Sequence, residues 1–415
     1  MAASTKIHVP RIGEGGGVVT GLERLLTEQK SLIVGKRVGL IVNQTAINGQ
    51  TVHAIDLFMQ DPELRLTRLF GPEHGVRGDA QDMIAVGDEK DPRSGVQVVS
   101  LYGPEETSLK PKPSDLEGLD VLVFDIQDIG SRYYTFVYTM AYCMEAAGEA
   151  GIPIIVCDRP NPIGGAQVEG NIVDMAFRSF VGRYSIPARH GMTAGELALF
   201  FRDHAGVACD LTVVTMKGWL RGDYFHHTLL PWVQPSPNMP TVETALVYPG
   251  MCLVEGTNLS EGRGTTRPFH LCGAPWVDPY ALADALNAEG LPGVRWRPTY
   301  FTPMFHKHAR QLCGGAEPHI YNPSTFKPFL SGLALLKHVR RLYPTQFQWR
   351  TEVYEYVKDR LAIDLLLGNG HLRQQLEDQA SLAELEKGWT QELTEFMPKR
   401  ASCLLYGVER RRVGF

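Results

Sequence analysis

The sequence has no excess of positive charge and no long apolar run. Its 415 residues contain 41 Lys and Arg against 46 Asp and Glu, a net charge of -5. This balance argues against nucleic acid as a partner, because binding it requires positive charge that neutralises phosphates. No stretch reaches the roughly 18 apolar residues of a membrane span, and residues 1–20 lack a signal-peptide pattern. We therefore expect no membrane span and a cytoplasmic location.

Cysteine is sparse and scattered. The seven cysteines are odd in number, and no two of them have C-x-x-C spacing. Such a pattern supports neither a disulfide framework nor a zinc site, and it is typical of a reducing compartment.

Motifs of several enzyme classes are also missing. The sequence has no phosphate-binding G-x-x-x-x-G-K-[ST], no H-E-x-x-H and no G-x-S-x-G. The glycine-rich residues 13–17 do not stand between a strand and a helix, as a dinucleotide-binding loop would. Zincin, α/β-hydrolase and nucleotide-binding functions therefore lose their main support.

Short apolar runs alternate with helical patterns over residues 38–159, which predicts an α/β fold with a parallel sheet flanked by helices. The chain beyond residue 270 predicts further helices around a strand, with a charge-alternating helical tail at 361–397 on the solvated surface. Residues 217–268 show little periodicity and predict a long functional loop. We expect two domains, residues 1–268 and 269–415. The predicted strands are 38–43, 66–70, 96–100, 121–125, 152–157, 211–215 and 294–301, and the clearest helices are 135–150, 193–204, 278–289 and 329–342.

Polar side chains follow most of the predicted strands of the parallel sheet. Ligands of such sheets bind outside the carboxyl ends of the strands, so one crevice is expected to collect these residues. The candidates for substrate binding in this group are Asn43, Arg77, Arg132, Tyr134, Asp158, Arg159 and Asn161.

Glu73 is the leading catalytic candidate, with His74 beside it. It follows a buried strand in a loop that prolines and glycines constrain, where partial desolvation would keep a carboxyl protonated as a general acid. The alternative is that Glu73 caps a turn or pairs with Arg77. Glu169, in a glycine-rich segment, is the candidate second carboxylate, and its alternative is a surface turn.

Segments 235–241 and 255–266 are dense in short polar side chains suited to a polyhydroxylated ligand. They add Asn238, Glu255, Asn258, Glu261 and Arg263 to the predicted binding residues. Arg263 lies between two glycines and can present its guanidinium to a carboxylate in a bidentate manner. The alternative is a packed interdomain loop with internal ion pairs.

A metal site has weaker support in the sequence. His74 with Asp79 and Asp82 would be its ligands, whereas His226-His227 and His306-x-His308 are not ligand sets by themselves. Aromatic residues that could stack on a sugar are Tyr133, Tyr134 and Trp276, although each is more typical of a core.

Seven motifs in order resemble one known family, the NamZ/YbbC-like exo-β-N-acetylmuramidases, long catalogued as a domain of unknown function. The resemblance implies a Rossmann-like amino-terminal domain, a smaller α+β carboxy-terminal domain that closes the active-site cleft, and no metal or cofactor. It implies release of N-acetylmuramic acid (MurNAc) from the non-reducing end of peptidoglycan fragments in cell-wall recycling, with a MurNAc-containing muropeptide or disaccharide as substrate. The motifs are GPEHGVRG (71–78), SLYG (100–103), DVLVFDIQDIGSRYYT (120–135), DRPNPIGG with VEGN (158–171), RHGMTAGELA (189–198), PSPNMPT (235–241) and YPGMCLVEGTNLSEGRGTTRPF (248–269).

The resemblance assigns the catalytic acid to Glu73 and its partner to Glu169. Many members are exported, whereas this sequence lacks a signal peptide, so a cytoplasmic version would act on imported muropeptides. Among arginines for the lactyl carboxylate of MurNAc, Arg263 is the first choice, ahead of Arg77, Arg132 and Arg189. A metal-assisted hydrolase or amidase and a non-catalytic amino-sugar-binding module remain alternatives. Stereochemistry and oligomeric state stay open.

Overall fold

The protein is described by a computed structural model over residues 17–78 and 90–408. In these ranges the strands are β1 (Arg37–Val42), β2 (Arg65–Gly71), β3 (Val98–Ser100), β4 (Val121–Asp125), β5 (Ile154–Cys157), β6 (Glu169–Ile172), β7 (Pro187–Arg189), β8 (Leu211–Val214), β9 (Cys272–Ala274), β10 (Val294–Phe301) and β11 (Cys313–Ile320). The α-helices are α1 (Gly21–Thr27), α2 (Ala54–Gln60), α3 (Pro113–Leu116), α4 (Phe136–Ala150), α5 (Ala194–His204), α6 (Val242–Met251), α7 (Pro279–Ala288), α8 (Pro328–Leu342), α9 (Ala362–Leu367), α10 (His371–Glu377) and α11 (Leu382–Ser402).

Six parallel strands form the central sheet in the order β3-β2-β1-β4-β5-β8. This is the doubly wound order of Rossmann-like folds, in which the connections reverse direction between β1 and β4. Strands β1, β4 and β5 are buried almost throughout, which explains their continuous apolar sequences. The predicted parallel sheet is confirmed, and each of its strands lies within two residues of the predicted range.

Local signals place the ends of two helices that flank this sheet. Helix α4 ends at Gly151, whose φ of 68° is the left-handed conformation favoured by glycine. Helix α5 begins with a capping box, in which the Thr193 hydroxyl accepts the Glu196 amide and the Glu196 carboxylate accepts the Thr193 amide. Both predicted helices are confirmed. The sequence could predict their ends because these signals involve only neighbouring residues.

The carboxy-terminal part contains the predicted smaller α+β unit. Its antiparallel sheet has the order β10-β11-β9, with α7 packed on β10 and β11. One continuous apolar core runs from residues of the central sheet, such as Phe124, to residues of the second unit, such as Leu336. The proposed boundary between residues 268 and 269 stays a prediction.

Two expectations about irregular and exposed segments are wrong in part. Residues 217–268 contain α6, which is buried at most positions and holds Pro249 within it, so its sequence shows no amphipathic period. The tail at 361–397 contains α9, all six residues of which are buried. Only the later α11 presents the mixed, largely exposed surface that its charge pattern predicts. In the part of the chain that is described, no helix is both long and apolar enough to cross a membrane.

Candidate active site

A polar cleft, open to solvent, lies beyond the carboxyl end of β2. The turn after β2, the loop before α4, the polar segments flanking α6 and the loop before α9 all contribute to it. The principal lining residues are Glu73, His74, Tyr133, Tyr134, Thr135, Ser236, Asn238, Tyr248, Glu255, Arg263, Phe269, His306, Arg350, Tyr354 and Glu355.

Glu73 is buried in a tight turn that follows β2 directly. The Gly75 amide donates to the Pro72 carbonyl at 2.9 Å, and His74, the third residue of this turn, has a φ of 72°. A positive φ at that position is typical of a type II turn, where glycine is usual. Non-glycine residues are held in this conformation chiefly at functional sites, because it costs about 1–3 kcal/mol.

The amino-terminal end of α4 contributes a hydroxyl to Glu73. Thr135 is the N-cap residue, but its side chain makes no capping hydrogen bond. Instead its Oγ1 donates to Glu73 Oε2 at 3.5 Å. This long contact connects the carboxyl to a 15-residue helix that is largely buried.

A cluster of ion pairs forms another wall of the cleft. Arg263 contacts Glu255 at 2.7 Å and Glu261 at 3.3 Å, and its guanidinium lies 5.3 Å from the Phe269 ring centroid. Lys307 contacts Glu261 at 3.0 Å. Burial alone would raise the pKa of Glu261, but Lys307 and the neighbouring cations hold that pKa well below its usual range. The internal ion pairs expected as the alternative for this segment are present.

Six of the predicted site residues meet in the cleft. They come from four separate segments, which the fold brings to one place. They are Glu73, His74, Tyr134, Asn238, Glu255 and Arg263. Tyr133 lines it as well, whereas Trp276 packs on Tyr343, with ring centroids 5.4 Å apart, and is not among the lining residues.

The structure does not collect the remaining candidates, which corrects the expectation of a single crevice. Arg159 donates to both oxygens of Asp125 at 2.6 and 2.7 Å, and to the Ile47 carbonyl at 2.8 Å. This pair fills the point where the strand order reverses, and Trp232 lines the small cavity left there. The usual ligand position of the fold is thus occupied by the protein itself.

Three more candidates after β1 and β5 stabilise loops. The Asn43 side chain accepts from the backbone and hydroxyl of Thr45, two residues later. Asp158 accepts from the Gly195 amide at the start of α5 and from two hydroxyls. Asn161 donates to the Met192 carbonyl at 2.9 Å. Their polar atoms satisfy buried backbone groups, which explains short polar residues at these positions.

Arg132, Arg77 and Asn258 also have structural partners. The fully buried Arg132 guanidinium donates to three carbonyls, one of them on Leu366 in α9. Arg77 contacts Asp91 at 2.9 Å. Asn258 donates to a carbonyl and accepts an amide in segment 346–348. Glu261, although it is not a lining residue, supports the cleft through Arg263.

Glu169 lies apart from the Glu73 cleft and lines a different cavity. Its two carboxylate oxygens accept from the amides of Phe329 and Leu330, at 3.2 and 2.9 Å, in the first turn of α8. Burial raises its pKa to about 7. The structure therefore does not place Glu169 beside Glu73, as the predicted catalytic pair would require.

The cleft also contains residues outside every motif used in the prediction. Those with polar side chains are His306, Arg350, Tyr354 and Glu355. The loop from 350 to 360 contains the sequence Tyr354-Glu355-Tyr356, an acid between two aromatic residues. This local pattern is the signal in the sequence that could have indicated a site residue. A motif search misses it because the segment reaches the cleft only through tertiary packing.

The described residues provide no set of ligands for the metal-assisted alternative. Among the residues described, no cluster of three or more His, Cys, Asp or Glu side chains could hold a metal ion. Asp79 and Asp82, two of the ligands considered, lie outside the described residues.

Comparison with known proteins identifies the family. The models of the amino-terminal and carboxy-terminal domains of the exo-β-N-acetylmuramidase NamZ match residues 38–243 and 246–406. The peptidoglycan β-N-acetylmuramidase NamZ of Bacillus subtilis (strain 168) is 46% identical over 94% of this chain and 91% of its own length.

Two solved structures share the fold. Both are DUF1343 family proteins from Bacteroides fragilis NCTC 9343. One has a TM-score of 0.84 and 35% identity, with 96% of this chain and all of the other covered. The second has a TM-score of 0.72 and 29% identity, with 94% and 99% covered. Sequence, domain order and fold agree over nearly the whole chain, and the protein therefore belongs to the NamZ exo-β-N-acetylmuramidase family.

Proposed function

We propose that this protein is an exo-β-N-acetylmuramidase that releases MurNAc from the non-reducing end of peptidoglycan fragments. The observation that carries the proposal is the buried carboxyl of Glu73 in a turn of positive φ, facing a polar, aromatic-lined cleft. Family membership over both domains supports the same reaction.

In this reaction Glu73 is the general acid. Hydrolysis of a glycoside needs a proton for the leaving oxygen, because an alkoxide is a poor leaving group at neutral pH. A buried carboxyl is suited to carry that proton into the cleft. The Thr135 hydroxyl at 3.5 Å helps to fix its direction.

Recognition of the lactyl carboxylate requires a cation in the cleft. Arg263, the first choice from sequence, already neutralises Glu255 and Glu261. Arg350 lines the same cleft, where it contacts the Val353 carbonyl at 3.4 Å and lies 5.3 Å from the Tyr354 ring centroid. Its ion pair is with the exposed Glu352, at 3.7 Å. An exposed ion pair at that distance is weak and is readily exchanged for a ligand. We therefore assign the lactyl carboxylate to Arg350 rather than Arg263.

A cytoplasmic site of action on imported muropeptides is part of the proposal. Its support is that none of the seven cysteines, all of which are described, forms a disulfide, and that six of them are buried. Free buried thiols are typical of proteins that fold in a reducing compartment.

The test compares wild type with Glu73→Gln on a chromogenic β-N-acetylmuramide and on the matching β-N-acetylglucosaminide, with and without EDTA. We expect turnover of the muramide alone, insensitive to EDTA, and a loss of at least about a hundredfold in kcat for the variant. Glu105→Gln, which alters an exposed carboxylate of the same domain, is the control and should keep wild-type activity.

Three results would contradict the proposal. Loss of activity in EDTA would favour a metal-assisted hydrolase. Tight binding of MurNAc without turnover, unchanged in Glu73→Gln, would favour a binding module. Equal turnover by wild type and variant would remove Glu73 from the mechanism.

A further inference from the structure

The loop before α9 contains a tight hairpin with unusual backbone geometry. Tyr354 and Val357 exchange both backbone hydrogen bonds, at 3.2 and 3.0 Å, which leaves a two-residue turn between them. The two turn residues, Glu355 and Tyr356, have φ values of 45° and 69°. Positive φ at both positions is the type I′ pattern, which strongly prefers Asn-Gly. A Glu-Tyr pair there is strained, since each residue costs about 1–2 kcal/mol.

Contacts on both sides hold this turn in place. The Tyr356 hydroxyl donates to the Gly103 carbonyl at 3.0 Å, and its ring lies 6.2 Å from the Tyr102 ring. The Tyr354 hydroxyl donates to Glu255 at 2.7 Å in the ion-pair cluster of the cleft. The hairpin is thus anchored on the Rossmann-like unit and on the cleft wall. Strain that the surroundings maintain in this way is found chiefly at functional sites.

The carboxyls of Glu355 and Glu73 share one electrostatic environment. Both residues line the cleft. Burial, and next the negative charges of Glu73 and Glu355, raise the pKa of Tyr102. The pKa of Tyr356 is raised by burial and by the same two carboxylates. Both acids thus line the cleft and act electrostatically on the same two tyrosines.

We propose that Glu355 is the second catalytic carboxylate, which acts together with Glu73 on the glycosidic bond. The inference rests on the proposed function and gives Glu355 the place that sequence analysis gave to Glu169. The turn holds a glutamate where asparagine or glycine would be more stable, and this glutamate lines the same cleft as Glu73.

The reaction balances with these two groups. The bond between C1 and the leaving oxygen breaks, its electron pair goes to that oxygen, and Glu73 supplies the proton. Glu355 then takes the proton of a water that adds to C1, which inverts the configuration. Alternatively Glu355 bonds to C1 until a water displaces it and gives its proton to Glu73, which retains the configuration. In both cases the substrate is hydrolysed and no oxidant or further reactant is needed.

The experiment measures kcat and KM on the chromogenic β-N-acetylmuramide for wild type, Glu355→Gln, Glu355→Asn and Asp359→Asn. We expect both Glu355 variants to lose at least about a hundredfold in kcat with little change in KM. Asp359→Asn, an exposed acid on the same loop, should match wild type. Asparagine adopts positive φ more easily than glutamate, so Glu355→Asn should unfold at a temperature no lower than wild type.

Further readouts separate catalysis from a structural role. Azide or formate added to Glu355→Ala should restore part of the turnover, because a small anion can replace a missing carboxylate but cannot repair a fold. The configuration of the first-formed MurNAc, read by NMR with wild type, distinguishes the two reaction courses. An active wild type with Glu355→Gln within about threefold of it would overturn the inference alone. An inactive wild type would instead overturn the proposed function.

Discussion

Arginines that look alike in the sequence have very different surroundings in this protein. Arg132 is fully buried and donates to three backbone carbonyls. Arg263 is compensated by two glutamates, whereas Arg350 faces the cleft with an exposed partner. An arginine that recognises a substrate carboxylate must exchange its partner on binding, and Arg350 meets that condition best.

The residue-scale prediction is that Arg350→Gln loses selectivity for the lactyl group. A charge-assisted hydrogen bond contributes about 1.5–3 kcal/mol, so kcat/KM for the β-N-acetylmuramide should fall roughly 10- to 100-fold. The loss should appear mainly as a rise in KM, because the lactyl group is bound in the substrate as well as in the transition state. Arg341→Gln, an exposed arginine in α8, is the control. A loss in kcat with an unchanged KM would show that Arg350 acts on the reacting sugar ring or on the fold.

At the scale of elements, Glu169 links β6 to the start of α8. It accepts two amides of the first helical turn and is buried, and burial raises its pKa to about 7 from an ordinary value of 4.5. The folded state therefore binds this proton more tightly than the unfolded state. Stability should accordingly fall as pH rises from about 4.5 to about 7.

The prediction for α8 is that Glu169→Gln flattens this fall in stability. Glutamine stays neutral at all these pH values, so its contribution to the free energy of unfolding does not change with pH. Urea unfolding at pH 5 and pH 8 measures the difference for wild type and variant. Some dependence of stability on pH should persist in the variant, because burial also raises the pKa of Asp158 to about 7. A large loss in kcat with an unchanged free energy of unfolding would instead indicate that Glu169 acts in catalysis.

At the scale of the whole molecule, the end of the described chain is fastened onto the central sheet. The Tyr406 hydroxyl donates to Asp158 at 2.5 Å and accepts the Met216 amide at 3.0 Å. The Leu405 amide donates to Glu196 in α5 at 2.8 Å. A core that is continuous from sheet to tail accompanies these contacts. Contacts of the last described residues thus hold the two units together, in addition to their shared core.

We predict that Tyr406→Phe lowers the free energy of unfolding by about 1–3 kcal/mol, because it removes a donor from a buried carboxyl. Urea unfolding followed by fluorescence and by circular dichroism measures this change. Both probes should give one coincident transition, since the units share a core. Two separate transitions, with only one of them shifted by the substitution, would show that the units unfold independently.

The features that the sequence predicted well depend on neighbours along the chain. Apolar continuity predicted the strands of the parallel sheet, and Thr193 with Glu196 predicted the start of α5. Helix α6 escaped prediction because a helix buried on all sides has no amphipathic period. The buried α9 was missed within a tail whose charges suggested a solvated surface.

For the candidate site, the sequence by itself determined the family and the place of Glu73, because a motif preserves the local geometry of its turn. It did not determine which polar residue faces the ligand. Asp158, Arg159 and Glu169 have the residue types of a site, yet each is used by a buried backbone or ion-pair partner. Glu355 reaches the cleft from a distant loop. Only the tertiary structure decides between these outcomes, because a polar group's role depends on its partners and its access to solvent, and both are set by packing.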